Sequence, residues 1–464
     1  MVESPILKVL KRAINRAYGF GLRHLILPAG DLLYGQRMMQ RLAFLESAQW
    51  WSRDRIIDYR NQLLQTTIQH AYEVPFYREI MLSKGIAPND IKTTEDLALL
   101  PVISKTILRA ERPERMIRDT GQRLYNSCSS GSTGEPFCVK EDTYTAGWYR
   151  ASFMLALQWA GWNIGEPHLQ TGMTLTRHNG RRLKDLLLLC HYESAYDLTD
   201  QHLDHILDTL VKHNLKHLWG YPGSLYHIAL RALETGRTYS LTSVVTWGDM
   251  VYPHYRDTIQ QAFDVKVTDT YGCAEGIQIA AQCEGSSHYL VHSLDVVVEY
   301  LDDDNKPVPV GTPGNLVLTR LHAGPAPLIR YRIGDMAISG GDRVSECGRG
   351  FEIMESIQGR DTDIIVTPSG NRLIVHFFTG ILEHYSEIES FQVVQHSIDE
   401  IMLRVIPKPE FSTEVADRMI NQLKSRGADL NIVIESVDTI PLTKGGKRRF
   451  VICNLPPEER ARVQ

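Results

Sequence analysis

Between residues 140 and 270 helical stretches alternate with short apolar runs. This rhythm restricts the chain to layered α/β architecture more than any other feature. Leu203, Ile206, Leu207, Leu210 and Val211 recur at helical spacing, and residues 215–219 and 243–246 read as buried strands. A helix over 252–263 and a strand over 265–269 continue the pattern, as parallel strands with helical crossovers require. Residues 289–340 read as an antiparallel, β-rich subregion, with strands at 296–300 and 316–319 separated by Asp/Asn-rich and Gly/Pro-rich turns. After about 359 the pattern resets. Strands at 364–367, 372–375, 391–395, 400–406 and 432–437 surround a helix capped by Ser412, with the face Val415, Met419 and Leu423. The expected fold is α/β: a large N-terminal domain, 1–358, with layered sheets and a β-rich part, and a small mobile α+β domain, 359–464. Residues 1–100 are mostly helical, with Ile56, Tyr59, Leu63, Thr67 and His70 on one face.

A chain of 464 residues has room for two or three domains. Its net charge of −5 provides no global basic field, so nucleic acid is not an expected partner. The seven cysteines are scattered and form no C-x-x-C pair, a usage that fits a reducing cytoplasm better than a disulfide framework. No apolar run is long enough to span a bilayer. Near the N-terminus Lys8, Lys11, Arg12 and Arg16 interleave with Ile6, Leu7, Val9, Leu10 and Ile14. This is an amphipathic pattern suited to packing on a neighbour or to peripheral membrane contact. Gly-x-Ser-x-Gly is absent, which argues against a serine hydrolase. His168, His178, His191 and His292 fall in no ligand or triad spacing.

Ser129-Ser130-Gly131-Ser132-Thr133-Gly134-Glu135-Pro136 combines backbone freedom with hydroxyl and amide donors, the means of wrapping an anion such as a nucleotide phosphate. No Gly-Lys-[Ser/Thr] follows, so it is not a Walker A loop. Four further segments come after it in order. They are Asp269-Thr270-Tyr271-Gly272-Cys273-Ala274-Glu275-Gly276, Tyr331-Arg332-Ile333-Gly334-Asp335, Gly359-Arg360-Asp361-Thr362-Asp363, and the run from Pro441 to Arg449 that contains Lys447. Taken singly, Asp335 beside Arg332 reads as a surface ion pair, and Lys447 as part of a solvated basic turn.

At these residues the chain resembles the ATP-dependent adenylate-forming enzymes, and within them the phenylacetate–CoA ligase branch with its CapK-like relatives, which are linked to capsular polysaccharide synthesis. The likeness covers nearly the whole chain, including Gln49-Trp50 and the stretch from His70 to Arg78. It implies attack of a carboxylate on the α-phosphate of Mg-ATP, giving an acyl-adenylate and pyrophosphate, then transfer of the acyl group to CoA. By the same resemblance Ser129, Ser130, Gly131, Ser132, Thr133 and Gly134 hold phosphates, and Asp335 accepts from the ribose hydroxyls. Tyr271 and Gly272 flank the adenine, Glu275 helps hold Mg²⁺, Arg360 reaches ribose or phosphate, and Lys447 is the mobile catalytic lysine. Tyr221, Trp247 and Cys273 are expected to shape the acid pocket. A homodimer is also implied.

The chain departs from the family pattern at three places. Phe137 stands where many members have Lys. Thr362 stands where the family usually has the first Asp of its hinge motif, so adenylation without CoA, passing the product to an amine, cofactor or carrier protein, is the alternative activity. Some members hold structural zinc. Here Cys283, His288 and Cys347 lie at comparable places, but Ser345 replaces a further thiolate and leaves that set short of four ligands. A nucleotide-binding scaffold without catalysis is the third reading, against which the presence of Asp335 and Lys447 counts.

Overall fold

In a computed structural model the described residues are 17–128, 137–172, 177–195, 197–360, 364–369, 372–373, 375–382, 384–441, 449–456 and 459. Among them a twelve-stranded sheet runs through the larger part of the chain. One half is parallel. Its order is Cys190–Ser194, His168–Gly172, His217–Gly220, Ser243–Thr246 and Val267–Cys273. The other half is antiparallel, through Ile277–Gln282, Tyr289–Val291, Ile353–Arg360, Tyr331–Ser339, Pro313–Arg320 and Val296–Leu301. Val267–Cys273 is the strand at which the two halves meet.

The crossover helices form because their apolar residues recur every three or four positions. Asp200–Lys212 buries Leu203, Ile206, Leu207 and Leu210 against the parallel strands, but Val211 is exposed rather than part of that face. Pro253 starts the helix Pro253–Phe263, with Tyr252 as its N-cap. Leu169, Leu218 and Val244 of the parallel strands are fully buried in that core, each such side chain contributing roughly 1.5–3 kcal/mol.

The N-terminal helices Met38–Ala48, Arg53–Glu73 and Pro75–Ser83 pack on the sheet's antiparallel half and on the helix Thr143–Trp159. In Arg53–Glu73 the buried stripe is Ile56, Arg60, Leu64, Thr67, Ile68 and Ala71. It is rotated from the expected face because Arg60 lies inside, paired with Glu352 at 2.6 Å. Gln49 is a buried clamp: its Oε1 accepts from Trp159 Nε1 and Arg349 Nε, both at 2.8 Å. Tyr77 donates to Pro327 O at 3.1 Å and accepts from Ile329 N at 3.2 Å. Arg330, with φ +48°, pairs with Glu299 at 2.7 Å and donates to Leu100 O. Together these contacts fix the entry into Tyr331–Ser339, the strand that carries Asp335.

Residues 388–453 form a second sheet, ordered Asn431–Ser436, Glu400–Pro407, Ile388–Ser397, Val451–Cys453. It has its own core, with Val415, Met419 and Leu423 of the helix Thr413–Ser425 packed on Val393, Leu403 and Val405. Ser412 does not cap that helix through its side chain; its hydroxyl donates to Glu414 instead. The run around 372–375 divides into a two-residue strand, Arg372–Leu373, and a helix, Val375–Leu382, which sequence pattern alone does not separate.

Candidate active site

Parallel α/β sheets bind ligands beyond the carboxyl ends of their strands. Tyr221, Trp247 and the 271–276 segment lie at such ends, after His217–Gly220, after Ser243–Thr246 and from the tip of Val267–Cys273 onward. Tyr221 is half-buried against Gly248, and Trp247 meets Phe153 edge-on at 5.6 Å. Cys273 ends the strand Val267–Cys273. Burial first, then the Glu275 carboxylate, push its thiol well above the ordinary range, so it is a neutral packing group.

Asp335 comes from the antiparallel half. Tyr271 Oη donates to its Oδ2 at 2.6 Å, which joins two motifs separated by more than sixty residues. Arg360, at the end of Ile353–Arg360, is the register partner of Asp335. Arg332 does not pair with Asp335; it donates to Asn305 Oδ1 at 2.8 Å and to Asp302 O at 3.3 Å.

Glu275 is buried, 2% exposed. Its Oε1 accepts from Tyr331 Oη at 2.6 Å and lies 3.3 Å from Lys105 Nζ. Lys105 arrives there because Ile103–Ser104 pairs in parallel with Tyr331 and Arg332, and Ser104 caps the helix Lys105–Ala110 by accepting from Ile107 N. Sequence reading misses Lys105 altogether, since no motif contains it. Burial and the Glu275 carboxylate together raise the Tyr331 phenol far above its usual range, so it stays a donor.

The strands Tyr125–Cys128 and Cys138–Glu141 flank residues 129–136, and two contacts tie them to the 271–276 segment. Ser127 Oγ donates to Ala274 O at 2.7 Å. Arg320, buried, donates to Glu141 Oε1 and to Gly276 O, each at 2.6 Å. Gly276 has φ +76°, and a Cβ there would run into the Glu141 carboxylate, so this approach requires glycine. Breaking a buried pair such as Arg320–Glu141 from one side costs about 3–5 kcal/mol.

The residues Ser129, Ser130, Gly131, Ser132, Thr133 and Gly134, with Thr362 and Lys447, lie outside the described residues. The cysteine pattern needs correction at one pair. Cys128 and Cys138 stand opposite each other in the hairpin and form a disulfide, while Cys190, Cys273, Cys283, Cys347 and Cys453 are free. The bridge joins the two chain ends on either side of the predicted phosphate loop. Reducing it is expected to raise the KM for ATP about three- to tenfold, because binding must then also order the neck of the loop. ATP titrations with and without dithiothreitol check this. A Cys128→Ser/Cys138→Ser protein should match the reduced enzyme and no longer respond to reductant.

Cys283, His288 and Cys347 are the incomplete zinc set seen in the sequence. Among the described residues no three His, Cys, Asp or Glu side chains converge as metal ligands. Cys283 Sγ and Cys347 Sγ are 3.0 Å apart, and Ser345 Oγ is 3.0 Å from Cys347 Sγ. Hydrogen bonds from Cys283, then from Ser345 and Arg349, draw the Cys347 thiol below its ordinary range. Four closed ligands, as structural zinc needs, are not gathered here.

Asp269, beneath the motif, is buried; its carboxylate accepts from Thr246 Oγ1 and Tyr289 Oη, both at 2.6 Å. Burial outweighs both bonds and raises it from 3.8 to about 6. The folded protein therefore binds this proton more tightly than the unfolded chain. The resulting stability is fully present below about pH 4 and lost as the pH rises to about 6. Asp269→Asn, which does not titrate, is expected to gain melting temperature on the wild type across that window and to stay level outside it. Paired thermal unfolding from pH 3.5 to pH 8 (roughly, to bracket the two values) checks the sign.

Three comparisons with known proteins show what the chain resembles. The CapK C-terminal domain family matches residues 365–454. The phenylacetate-coenzyme A ligase of Thermus thermophilus is 24% identical over 454 residues, covering 86% of this chain and 97% of the relative. Protein CapK of Staphylococcus aureus is 25% identical over 400 residues, covering 82% and 85%. The crystal structure of 2-hydroxyisobutyryl-CoA ligase in the postadenylation state, in complex with an acyl-AMP, aligns with a TM-score of 0.71 at 20% identity, covering 89% of this chain and 92% of that one. The chain is thus a homologue of the phenylacetate–CoA ligases and CapK, built on the fold of the adenylate-forming ligases.

Proposed function

We propose that this protein is an ATP-dependent acid ligase that converts a carboxylic acid to its acyl-adenylate and then passes the acyl group to CoA. The observation that carries this reading is the convergence of Tyr271, Glu275 and Asp335, from two separate motifs, at the end of Val267–Cys273 beside the anchored 125–141 hairpin. In the proposed reaction a carboxylate oxygen attacks the α-phosphorus, the bond to the β-phosphate breaks, and pyrophosphate leaves. The CoA sulfur then attacks the acyl carbon, and AMP leaves. Both reactants of the first step are anions, so the site must supply positive charge and fixed donors.

Asp335 would accept from the ribose hydroxyls, held in place by Tyr271 Oη. The segment 129–136 would hold the phosphates over the neck fixed by Ser127 and Arg320. Tyr221, Trp247 and Cys273 would line the acid pocket, and Arg360 would reach the nucleotide across from Asp335. Lys447 would arrive from the small C-terminal domain, which we place at 359–464, as that domain closes. Glu275 fits a divalent cation. It is a buried oxygen donor that already keeps a cationic group, the Lys105 ammonium, at 3.3 Å. Bound there, Mg²⁺ would neutralise phosphate charge during adenylation.

Thr362 supports a second reading, adenylation without transfer to CoA, because the hinge position lacks the usual carboxylate. Release of AMP and pyrophosphate measured with and without CoA separates the two. AMP release that requires CoA supports the ligase; equal release without it supports the alternative.

A further inference from the structure

We propose that the N-terminal helical face and the helix Asn179–Leu187 form one docking surface for an anionic lipid bilayer. The helix Leu27–Tyr34 is largely apolar yet buries none of its residues. Leu32 and Leu33 are 85% and 84% exposed, and Leu25 in the preceding turn is 69% exposed. This segment is nonetheless held firmly at its other end. Leu22 is fully buried, and Gly19 packs directly on Gly165.

Tyr18 Oη donates to Leu187 O at 2.8 Å, which seats Asn179–Leu187 beside the same segment. That second helix also leaves large apolar side chains in water, Leu183 and Leu186. Uncovered leucines on two elements joined through Tyr18 and Leu187 are of the kind that marks an interaction surface.

Charge identifies the occupant. Arg181, Arg182 and Lys184 stand exposed on Asn179–Leu187, and its one acid, Asp185, is taken by Arg177 at 2.8 Å. Asp31, the acid of the N-terminal helix, is engaged by Met39 N at 2.6 Å. In sequence alone, residues 1–16 carry Lys8, Lys11, Arg12 and Arg16 against the single acid Glu3, on a chain whose net charge is −5. Uncovered leucines flanked by basic residues suit the boundary between anionic headgroups and acyl chains. A second copy on the same face would bring like charges together across a two-fold axis. No described helix is long and apolar enough to cross a membrane, so the contact is with its surface.

Sedimentation of the full chain with vesicles tests the proposal, using phosphatidylcholine alone and phosphatidylcholine mixed with phosphatidylglycerol. The wild type should pellet with the anionic vesicles and be released by salt. Leu32→Asp/Leu33→Asp and Arg181→Glu/Arg182→Glu should each lower that binding about tenfold or more, with melting temperature unchanged. Absence of binding, equal binding to neutral vesicles, or variants that bind like wild type would overturn it. So would light scattering that shows a dimer dissociated by Leu32→Asp/Leu33→Asp.

Discussion

Lys447→Ala is expected to lower the rate of acyl-adenylate formation about 10²- to 10³-fold, the effect of removing one preorganised charge from a phosphoryl transition state. A carboxylate and a triphosphate repel each other, and two cations near the site, Lys105 and Arg320, are already engaged. Lys105 lies on Glu275, and Arg320 lies between Glu141 and Gly276. Something mobile must bring further positive charge to the attacking oxygen. In sequence Lys447 belongs to the basic run that precedes Val451–Cys453, and the family resemblance implies that duty for it. In the proposed reaction it would act on the transition state, so kcat should fall while the KM for ATP changes little. Single-turnover formation of acyl-AMP is the direct readout. A loss confined to KM would show that Lys447 only helps bind nucleotide.

Asp335→Ala is expected to raise the KM for ATP about a hundredfold, with a smaller change in kcat. A carboxylate that accepts from two ribose hydroxyls contributes about 1.5–3 kcal/mol for each charge-assisted bond, and one factor of ten corresponds to about 1.4 kcal/mol. Removing the side chain also takes away the acceptor to which Tyr271 Oη donates at 2.6 Å. Asp335→Asn, which keeps one acceptor, should fall between Ala and wild type. Tyr271→Phe leaves the carboxylate in place and should cost less than either. Isothermal titration of ATP into each variant checks the order. An Asp335→Ala protein that binds ATP normally would remove this residue from the nucleotide site.

Much of the architecture is legible in the sequence because local periodicity and burial coincide there. The strand Ser243–Thr246 is buried along its whole length and reads as such, and the stripe Val415, Met419, Leu423 is the buried face of Thr413–Ser425. Reading fails where a charge lies inside. Arg60 sits on the buried face of Arg53–Glu73, paired with Glu352, and its polarity hides the true stripe. Val211 misleads in the opposite sense, since an apolar residue at the edge of a helical face meets water.

The candidate site divides along the same line. Tyr271, Glu275 and Asp335 are visible as residues within motifs, but their pairing is not, because it depends on strands far apart in sequence lying side by side. Lys105 is the clearest case. It reaches Glu275 through the parallel pairing of Ile103 with Tyr331, which leaves no trace in local spacing. The Cys128–Cys138 bridge is invisible to a count of seven scattered cysteines. It becomes readable only once the hairpin around residues 129–136 sets the two opposite each other.

The most direct test of the central claim is exchange of labelled pyrophosphate into ATP, run with wild-type protein against pooled carboxylic acids. Adenylation is reversible before the acyl group moves on, so an enzyme that makes acyl-AMP must return label to ATP when its acid is present. Exchange that depends on one acid and collapses in Lys447→Ala is the predicted result. Protein that binds ATP but supports no exchange with any acid would contradict the account and leave a nucleotide-binding scaffold in its place.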